Sequence, residues 1–299
     1  MIMKNRMNYQ GELSQNERLM HYTTWRVGGI AKQLYKPTDV DDLALFIKEL
    51  PTTEPLLWLG LGSNLLIRDA GFLGTVILMQ GCLKKIHLLE ENLVHVEAGV
   101  SCATMARFCA RMHLSGGEFW AGIPGTMGGA LKMNAGCAGD ETWRYVEYVE
   151  TMTRQGERRI RRPDEFQIAY RQVIGLEDEA FISAACRMPR GEKATSLQRI
   201  KTLLQHRTET QPTNEANCGS VFRNPPGDFA ARLIEACGLK GQQLGGAMVS
   251  KKHANFIINH QEKASSSDIE SLIQYVHDAV LEKTRIALMP EVHIVGERR

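Results

Sequence analysis

The stretch from Ala121 to Gly136 constrains this chain more than any other, because AGIPGTMGGALKMNAG holds five of the 27 glycines. Glycine adopts positive φ without a steric clash and lets another molecule approach the main chain closely. Small residues can therefore present several backbone N–H groups and one hydroxyl to a single anion such as a pyrophosphate. A glycine-rich turn without any ligand is the alternative interpretation. The residues suited to anion binding are Gly125, Thr126, Gly128, Gly129 and Ala130.

A second glycine loop lies earlier in the chain, where the apolar run WLGLGSNLLIRD breaks at Gly60, Gly62, Ser63 and Asn64. It resembles half of the dinucleotide-binding fingerprint G-x-G-x-x-G. The third glycine position is Leu65, however, and a turn rather than a helix is predicted after it. No G-x-x-x-x-G-K-[ST] motif occurs, which excludes a P-loop. The sequence therefore indicates two phosphate-binding loops of a non-Rossmann kind.

Composition narrows the class of protein. With 43% hydrophobic and 23% charged residues the chain is typical of a globular protein, and its net charge of only +2 disfavours nucleic acid as a partner. Residues 1–20 contain no apolar signal-peptide segment, and no window of the sequence approaches 18 apolar residues, so a cytoplasmic location is expected. Seven cysteines without a C-x-x-C pair predict reduced packing residues and no metal site, with a reactive thiol at Cys218 as the lesser alternative.

Helix and strand patterns predict a small α/β unit at residues 38–64 and a second, α+β unit that holds the Ala121–Gly136 loop. Thr38 is predicted to cap a helix with Asp41 at its N3 position, and Ser101 is predicted to cap a second helix. Ser267 and Glu270 are predicted to form a capping box at the start of a late helix. Strands are predicted at 56–59, 75–79, 93–97, 145–153, 180–186, 255–259 and 292–295.

These patterns predict three domains, as the length of 299 residues allows. The first is expected at 1–80, and the tail 290–299 is expected to return to it. The second, at 81–193, holds the Ala121–Gly136 loop. The third, at 194–289, follows a charged segment that has the composition of a linker.

The motif Cys218-Gly-Ser-Val-Phe-Arg-Asn-Pro225 is a candidate for chemistry, because Gly219 permits a tight turn and Ser220 supplies a hydroxyl. Pro225 ends regular structure at Asn224. The motif is not the G-x-S-x-G elbow of a serine hydrolase, since position 222 is Phe. An ordinary loop serine bonded to its own backbone is the alternative.

Several motifs together resemble the UDP-N-acetylenolpyruvoylglucosamine reductase (MurB) family, from about residue 20 to the C-terminus. They are Thr24-Trp-Arg-Val-Gly-Gly29, Gly60-Leu-Gly-Ser-Asn64, Gly122-Ile-Pro-Gly-Thr-Met-Gly-Gly129 and Asn134-Ala-Gly136. The resemblance implies an α+β fold: a two-subdomain FAD-binding fold of the vanillyl-alcohol-oxidase (PCMH) type, plus an α/β substrate-binding domain. The domains 1–80 and 81–193 would be the FAD-binding subdomains, and 194–289 the substrate-binding domain.

The resemblance also implies the cofactors, which are non-covalent FAD and NADPH as the hydride donor. The FAD-binding residues implied are Gly60, Gly62, Ser63, Asn64, Leu65, Gly125, Thr126, Gly128, Gly129, Asn134 and Gly136.

The family's active-site motifs match three positions. Arg171 matches the arginine of a Tyr-Arg pair, Ser220 matches the proton-donating serine of Gly-Ser-x-Phe-[Lys/Arg]-Asn-Pro, and Glu291 matches the glutamate of Pro-Glu-Val. These three residues are expected to converge on one pocket beside the flavin. The substrate-binding residues implied are Tyr170, Arg223, Asn224, His253 and Asn255.

The implied reaction reduces UDP-N-acetylglucosamine enolpyruvate to UDP-N-acetylmuramate in peptidoglycan precursor synthesis. The expected partners are these small molecules and NADPH, with no nucleic acid and no membrane insertion, and the protein is expected to be a monomer. The chain departs from the family's frequent Tyr-Arg-x-Ser pattern, because it has Val173 at the serine position. The short spacing between Arg171 and Ser220 indicates the compact type without a substrate-covering loop insertion.

Two other functions fit part of the sequence. Another FAD oxidoreductase of the same fold, acting on a hydroxy compound, would keep both glycine loops but would not need the Ser220 and Glu291 motifs. A catalytically inactive nucleotide-sugar binding protein would bind its ligand without any change in flavin absorbance. The Ser220 and Glu291 motifs favour the reductase over the first of these.

Overall fold

The structure, a computed structural model, describes residues 9–298. Parts of the predicted first domain and tail, residues 1–8 and 299, lie outside the described residues. The α-helices are α1 Val40–Glu49, α2 Cys102–Arg111, α3 Met127–Met133, α4 Lys193–Thr210, α5 Ala230–Ala236 and α6 Ser266–Thr284. The strands are β1 Glu12–Arg18, β2 Ile30–Lys36, β3 Leu56–Leu59, β4 Leu65–Ile67, β5 Phe72–Leu78, β6 Ile86–Glu90, β7 Leu93–Glu97, β8 Gly136–Cys137, β9 Asp140–Glu141, β10 Val146–Met152, β11 Arg158–Arg161, β12 Gln167–Ala169, β13 Gln172–Ile174, β14 Ala180–Arg187, β15 Gln243–Leu244, β16 Ala247–Val249, β17 Ile257–Asn259 and β18 His293–Val295.

The chain forms two compact units, each discontinuous in sequence. Unit 1 comprises the described residues up to Gln15 together with Gln33–Gly60 and Gly74–Lys201. Unit 2 comprises Asn16–Lys32, Leu61–Leu73 and the described residues from Thr202 onward. The division into domains at 1–80, 81–193 and 194–289 stays a prediction.

A four-stranded sheet has the order β1-β2-β5-β3, with β3 and β5 parallel. Helix α1 begins after Asp39, whose side chain accepts from the Asp42 N–H. The predicted Thr38 cap with Asp41 at N3 is therefore wrong by one residue. Asp42 occupies the N3 position instead of Asp41. Its carboxylate accepts from the Tyr35 hydroxyl at 2.6 Å and from the Thr38 N–H at 2.9 Å, and these bonds hold the start of the helix in this register.

Unit 1 contains a five-stranded antiparallel sheet of order β11-β10-β14-β7-β6, which contacts helix α3 through β14 and β7. Ser101 caps helix α2 by accepting from the Thr104 N–H, which confirms the predicted cap. The glycine loop leads into α3, and the short hairpins β8–β9 and β12–β13 follow.

Unit 2 is built on the antiparallel sheet β15-β16-β17, against which helix α6 packs, and on the parallel pair β18-β4. Its core draws on distant parts of the chain, because Trp25, Leu66 and Val292 are buried in the same cluster as Ile269 and Val276. The Trp25 indole N–H donates to the Ile257 carbonyl at 2.7 Å, which satisfies the one polar group of a fully buried ring.

Helix α6 is capped by Ser265, whose hydroxyl accepts from the Asp268 N–H while the Asp268 carboxylate accepts from the Ser265 N–H. The predicted box at Ser267 and Glu270 is wrong by two residues. Both of those side chains bond elsewhere: Ser267 bonds Asp69 at 2.6 Å, and Glu270 pairs with Arg68 at 2.9 Å. None of the helices within residues 9–298 combines the length and apolarity needed to cross a bilayer.

Candidate active site

The two glycine loops touch each other in unit 1. A Cβ atom added at Gly60, which follows β3, would lie 2.5 Å from the Thr126 hydroxyl at the start of α3. Such a distance is too short for any side chain, so glycine at position 60 is what permits the contact. The two predicted phosphate-binding loops therefore meet at the end of a strand and the first turn of a helix.

Two adjacent glycines in the first turn of α3 have different roles. A Cβ at Gly128 would lie 2.9 Å from the Ala98 Cβ, so glycine there permits close packing. A Cβ at Gly129 would meet nothing nearer than the Thr126 hydroxyl at 3.9 Å, and Gly129 is exposed. The backbone at Gly129 is thus open to a ligand, and this fits the close approach of a cofactor phosphate. The Gly125 carbonyl is already bonded to the Cys102 N–H at 2.9 Å.

Asn134 ends helix α3 in the left-handed conformation and is fully buried. Its Oδ1 accepts from the Trp143 N–H at 3.2 Å, and its Nδ2 donates to the Ala169 carbonyl at 3.3 Å. Both ends of the amide are bonded within the protein. A contribution of Asn134 to a cofactor site would therefore come through its backbone.

Tyr170 and Arg171 form the two-residue turn of the β12–β13 hairpin, in which Ala169 pairs with Gln172. Arg171 has a φ of 56°, in the left-handed region that is costly for residues other than glycine. Its guanidinium donates to the Gly136 carbonyl at 2.7 Å. The predicted catalytic arginine and the predicted cofactor loop are therefore in direct contact in unit 1.

The loop after Gly60 continues in unit 2. Gly62 is buried, and its carbonyl accepts from the Thr24 N–H at 3.2 Å, which joins the TWRVGG and GLGSN motifs. Ser63 is half-buried in the same loop, and Leu65 begins strand β4.

Asn64 connects this loop to the segment of the predicted catalytic glutamate. Its Nδ2 donates to the Glu291 carbonyl at 3.1 Å, and its own carbonyl accepts from the His293 N–H at 3.1 Å. Motif reasoning missed this role, because the two residues lie 227 positions apart and no local pattern links them.

The Ser220 and Glu291 segments pair side by side in unit 2. The Glu291 N–H donates to the Val221 carbonyl at 2.7 Å, and Phe222 forms a β-bridge with Pro290. Both Ser220 and Glu291 are half-buried. Two of the three predicted catalytic residues are therefore held next to each other by backbone bonds.

Asparagine side chains brace the Ser220 segment. Asn255 is buried, its Oδ1 accepts from the Phe222 N–H at 3.0 Å, and its Nδ2 donates to the Phe222 carbonyl at 2.8 Å. Asn217, which was not among the predicted residues, accepts from the Gly219 N–H at 2.9 Å. The Asn-x-Gly spacing just before Ser220 is a sequence signal of such a turn.

His253 lies against Phe256, with ring centroids 4.7 Å apart, and its Nδ1 accepts from the Asn255 N–H at 3.3 Å. Burial, and then the positive charge of Lys240, lower the pKa of His253. The neutral ring with Nδ1 as acceptor is therefore the stable form. This bond makes His253 a support of Asn255.

Arg223 and Asn224 continue the motif after Phe222. The Arg223 N–H donates to the Met289 carbonyl at 2.9 Å, while its Nε is buried without a hydrogen-bond partner among the described residues. Asn224 is exposed, and its Oδ1 accepts from the Ala230 N–H at the start of α5. An unsatisfied buried donor beside an exposed amide fits a site for a polar or anionic ligand.

The cysteines are free thiols, and the one nearest to Ser220 in sequence is Cys218. All seven lie within the described residues and none forms a disulfide. Burial, and then the negative charge of Glu291, raise the pKa of Cys218 well above its ordinary value. A thiol in this state is a poor nucleophile, so the alternative of a reactive Cys218 is wrong. Within residues 9–298 no group of three or more His, Cys, Asp or Glu side chains is arranged to hold a metal ion.

Comparisons with known proteins match both halves of the chain. Residues 31–160 match the family described as "FAD binding domain", and residues 211–295 match the family described as "UDP-N-acetylenolpyruvoylglucosamine reductase, C-terminal domain". A solved structure of UDP-N-acetylenolpyruvylglucosamine reductase (MurB) from Thermus caldophilus superposes with a TM-score of 0.81 at 32% identity, over 95% of this chain and 98% of that one. The predicted α+β fold class with an FAD-binding domain is confirmed, and the vanillyl-alcohol-oxidase type of that domain stays a prediction.

Curated relatives agree with the structural match. The UDP-N-acetylenolpyruvoylglucosamine reductase of Legionella pneumophila (strain Corby) is 67% identical over 96% of this chain and 94% of its own length. That of Alkalilimnicola ehrlichii is 52% identical over 99% of both chains. Identity at this level over nearly the whole length shows the family, and the chain is a member of the UDP-N-acetylenolpyruvoylglucosamine reductases.

Proposed function

We propose that this FAD-dependent reductase converts UDP-N-acetylglucosamine enolpyruvate to UDP-N-acetylmuramate with NADPH, as a UDP-N-acetylmuramate dehydrogenase in peptidoglycan precursor synthesis. The observation that carries the proposal is the pairing of the Ser220 and Glu291 segments through the bond from the Glu291 N–H to the Val221 carbonyl. Through this bond the backbone segments that carry the Ser220 hydroxyl and the Glu291 carboxyl group are neighbours, which supports a shared role in proton transfer.

Bound FAD, once reduced by NADPH, would supply a hydride from N5 to the terminal vinyl carbon of the substrate. Charge then develops next to the substrate carboxylate, and fixed positive donors there lower the barrier. The planar Arg171 guanidinium fits a carboxylate through two parallel hydrogen bonds and remains protonated. We assign Arg171 to this role.

Ser220 would donate the proton to the carbon next to the carboxylate. A hydroxyl is a weak acid in water, and it serves here because the acceptor is a strongly basic carbon. Glu291 would act as a protonated donor or orient the donor, since an ionised carboxylate would repel the developing charge. Proton transfer from a positioned group is worth about 100- to 10,000-fold in rate.

The remaining site residues divide between cofactor and substrate. The FAD residues proposed are Gly60, Gly62, Ser63, Asn64, Leu65, Gly125, Thr126, Gly128, Gly129, Gly136 and the backbone of Asn134. The open backbone at Gly129 supports this assignment. For the substrate we propose Tyr170, Arg223 and Asn224 as contacts, and the unsatisfied Arg223 Nε supports them. His253 and Asn255 would contribute by holding the Phe222 segment.

The proposed function also implies a domain division, a location and an oligomeric state for the protein. The three-part division at 1–80, 81–193 and 194–289 would correspond to two FAD-binding subdomains and a substrate-binding domain. The protein would act as a monomer in the cytoplasm, where NADPH and nucleotide sugars are available. Analytical ultracentrifugation of the FAD-loaded protein tests the oligomeric state, and a dimer at micromolar concentration would contradict it.

The test of Ser220 separates the two half-reactions in an anaerobic stopped-flow experiment. In Ser220→Ala, reduction of FAD by NADPH should match the wild type, while reoxidation by the enolpyruvyl substrate should slow by about 100- to 10,000-fold. Ser115→Ala is the control, because Ser115 is a turn residue whose hydroxyl bonds the Arg190 carbonyl. Equal reoxidation rates in Ser220→Ala and the wild type would show that Ser220 donates no proton.

A further inference from the structure

We propose that Asn134 is a positioning residue for Arg171, which places the substrate-binding guanidinium relative to the FAD-binding loop; this inference rests on the function proposed above. Asn134 lies at the end of α3, where a ligand-facing role is the simplest assumption. The contacts of its side chain point instead to the hairpin that carries Arg171.

The orientation of the Asn134 amide is fixed by its two partners. A backbone carbonyl can only accept and a backbone N–H can only donate, so Nδ2 must face Ala169 and Oδ1 must face Trp143. Ala169 immediately precedes the Tyr170–Arg171 turn. The amide therefore fixes the strand end from which the turn starts.

The same segment also holds the arginine side chain. The Arg171 guanidinium donates to the Gly136 carbonyl at 2.7 Å and reaches the Asn134 carbonyl at 3.5 Å. Asn134 thus acts on Arg171 at two points, through its amide on the hairpin backbone and through its carbonyl on the guanidinium. Asn134 itself is fully buried, and its bonds to Ala169 and Arg171 are partly buried.

Backbone conformation explains why asparagine suits this position. The φ of 41° at Asn134 ends α3 in the left-handed region, which glycine and asparagine tolerate best. Glycine would end the helix equally well but would leave Ala169 and Trp143 without their partners. An apolar residue would do neither. Asparagine alone among the tolerated residues both ends the helix and bonds the hairpin.

Two substitutions separate these roles. Asn134→Gly keeps the helix end and removes the amide. Asn134→Asp keeps an acceptor for the Trp143 N–H. An ionised aspartate cannot donate to the Ala169 carbonyl, whereas a protonated aspartic acid can. His113→Gly is the matched control, because His113 is an exposed residue with a φ of 57° just beyond α2.

Binding is measured first, on the FAD-loaded protein and without turnover. In Asn134→Gly, FAD affinity from fluorescence titration should match the wild type. The Kd of UDP-N-acetylmuramate from calorimetry should rise by about 10- to 100-fold, because a displaced guanidinium loses a charge-assisted hydrogen bond to the ligand carboxylate. His113→Gly should change neither. Loss of FAD affinity with unchanged product affinity would overturn the proposal and make Asn134 a cofactor residue.

Kinetics then distinguish positioning from a general structural defect. In Asn134→Gly, reduction by NADPH should be unchanged, whereas reoxidation by the enolpyruvyl substrate should slow by about 10- to 100-fold. In Asn134→Asp, reoxidation should recover as the pH falls, because the protonated acid again donates to the Ala169 carbonyl. Arg171→Ala should cost less in the Asn134→Gly background than in the wild type, since neighbouring residues in one network are not additive.

The outcomes separate this inference from the proposed function. If wild-type FAD is not reoxidised by the enolpyruvyl substrate, the proposed function fails, and the inference fails with it. If the wild type reacts and Asn134→Gly reacts equally fast, or loses both half-reactions equally, only the inference fails.

Discussion

At the scale of single residues, asparagine side chains organise the proposed site. Asn255 bonds both the N–H and the carbonyl of Phe222, and Asn217 bonds the Gly219 N–H. The segment is irregular, so its backbone groups lack the partners that a neighbouring strand would provide. The asparagine amides bond these groups instead, which avoids the cost of leaving them unpaired away from water. The segment that carries Ser220 is therefore held in place without belonging to a regular sheet.

Arg171 combines a proposed catalytic role with a strained backbone, since its φ is 56°. Arg171→Gly and Arg171→Ala both remove the guanidinium, and only the first relieves the strain. Arg171→Gly should therefore be the more stable variant by about 1 kcal/mol in urea unfolding. Equal stability of the two variants would show that the left-handed conformation at position 171 carries no strain.

His253 should make stability depend on pH, because burial, and then Lys240, lower its pKa in the folded state. The unfolded chain then binds the proton more readily, so the contribution is fully present above about pH 6.5 and is lost as the pH falls below it, by up to about 1.4 kcal/mol per pH unit. The measurement is the free energy of unfolding between pH 7.5 and 5.5. His253→Asn keeps an acceptor for the Asn255 N–H without titrating, so it should show the smaller decline. A decline as steep as that of the wild type would exclude His253 as the source.

At the scale of elements, the start of α6 depends on several side chains at once. Ser265 and Asp268 cap each other's N–H groups, while the Asp69 carboxylate accepts from the Ser266 and Ser267 N–H groups. The helix N-terminus is thus tied to the segment after β4. Free N–H groups in a first turn are satisfied by such acceptors, and negative charge there is favourable.

Ser265→Ala should lower the free energy of unfolding by about 1 kcal/mol, because it removes the cap of α6. Ser271→Ala is the control within the same helix, since Ser271 is exposed and alanine is the better helix former. Urea unfolding monitored by circular dichroism measures both. A larger loss in Ser271→Ala than in Ser265→Ala would contradict the assigned cap.

The sequence predicted elements better than it predicted their ends. Strands 56–59 and 93–97 agree with β3 and β7, and the cap at Ser101 is confirmed. The caps of α1 and α6 were misplaced, because several Ser, Thr and Asp residues lie within a few positions and only tertiary partners choose among them. Asp42 is such a case, as its carboxylate bonds Tyr35 instead of remaining at the helix surface.

At the scale of the whole molecule, the motifs identified the family, and the local sequence could not show which distant segments meet. The bond between Asn64 and Glu291, and the burial of Trp25 with residues of α6, depend on the folded chain. Glycines were predicted as one anion-binding group, yet Gly128 packs on Ala98 and Gly129 is open. Composition cannot separate these roles, because both require only the absence of a side chain.

The core of unit 2 leads to a prediction about fragments. A fragment of residues 194–289 would lack Trp25, Val27, Leu66 and Val292, all of which are buried in that core. It should therefore show no cooperative thermal transition by circular dichroism, whereas the full chain should melt cooperatively. A cooperative transition in the fragment would show that residues 194–289 fold independently.

The visible spectrum of the purified protein, followed anaerobically during two additions, decides whether the chain is the proposed reductase. We expect flavin absorbance that bleaches when NADPH is added and returns when UDP-N-acetylglucosamine enolpyruvate is added. Bleaching by NADPH without recovery on addition of the enolpyruvyl substrate would mean that the protein is a flavoenzyme whose oxidising substrate is a different compound. A colourless protein that takes up no FAD would contradict the proposed function, because both glycine loops would then be turns without a cofactor.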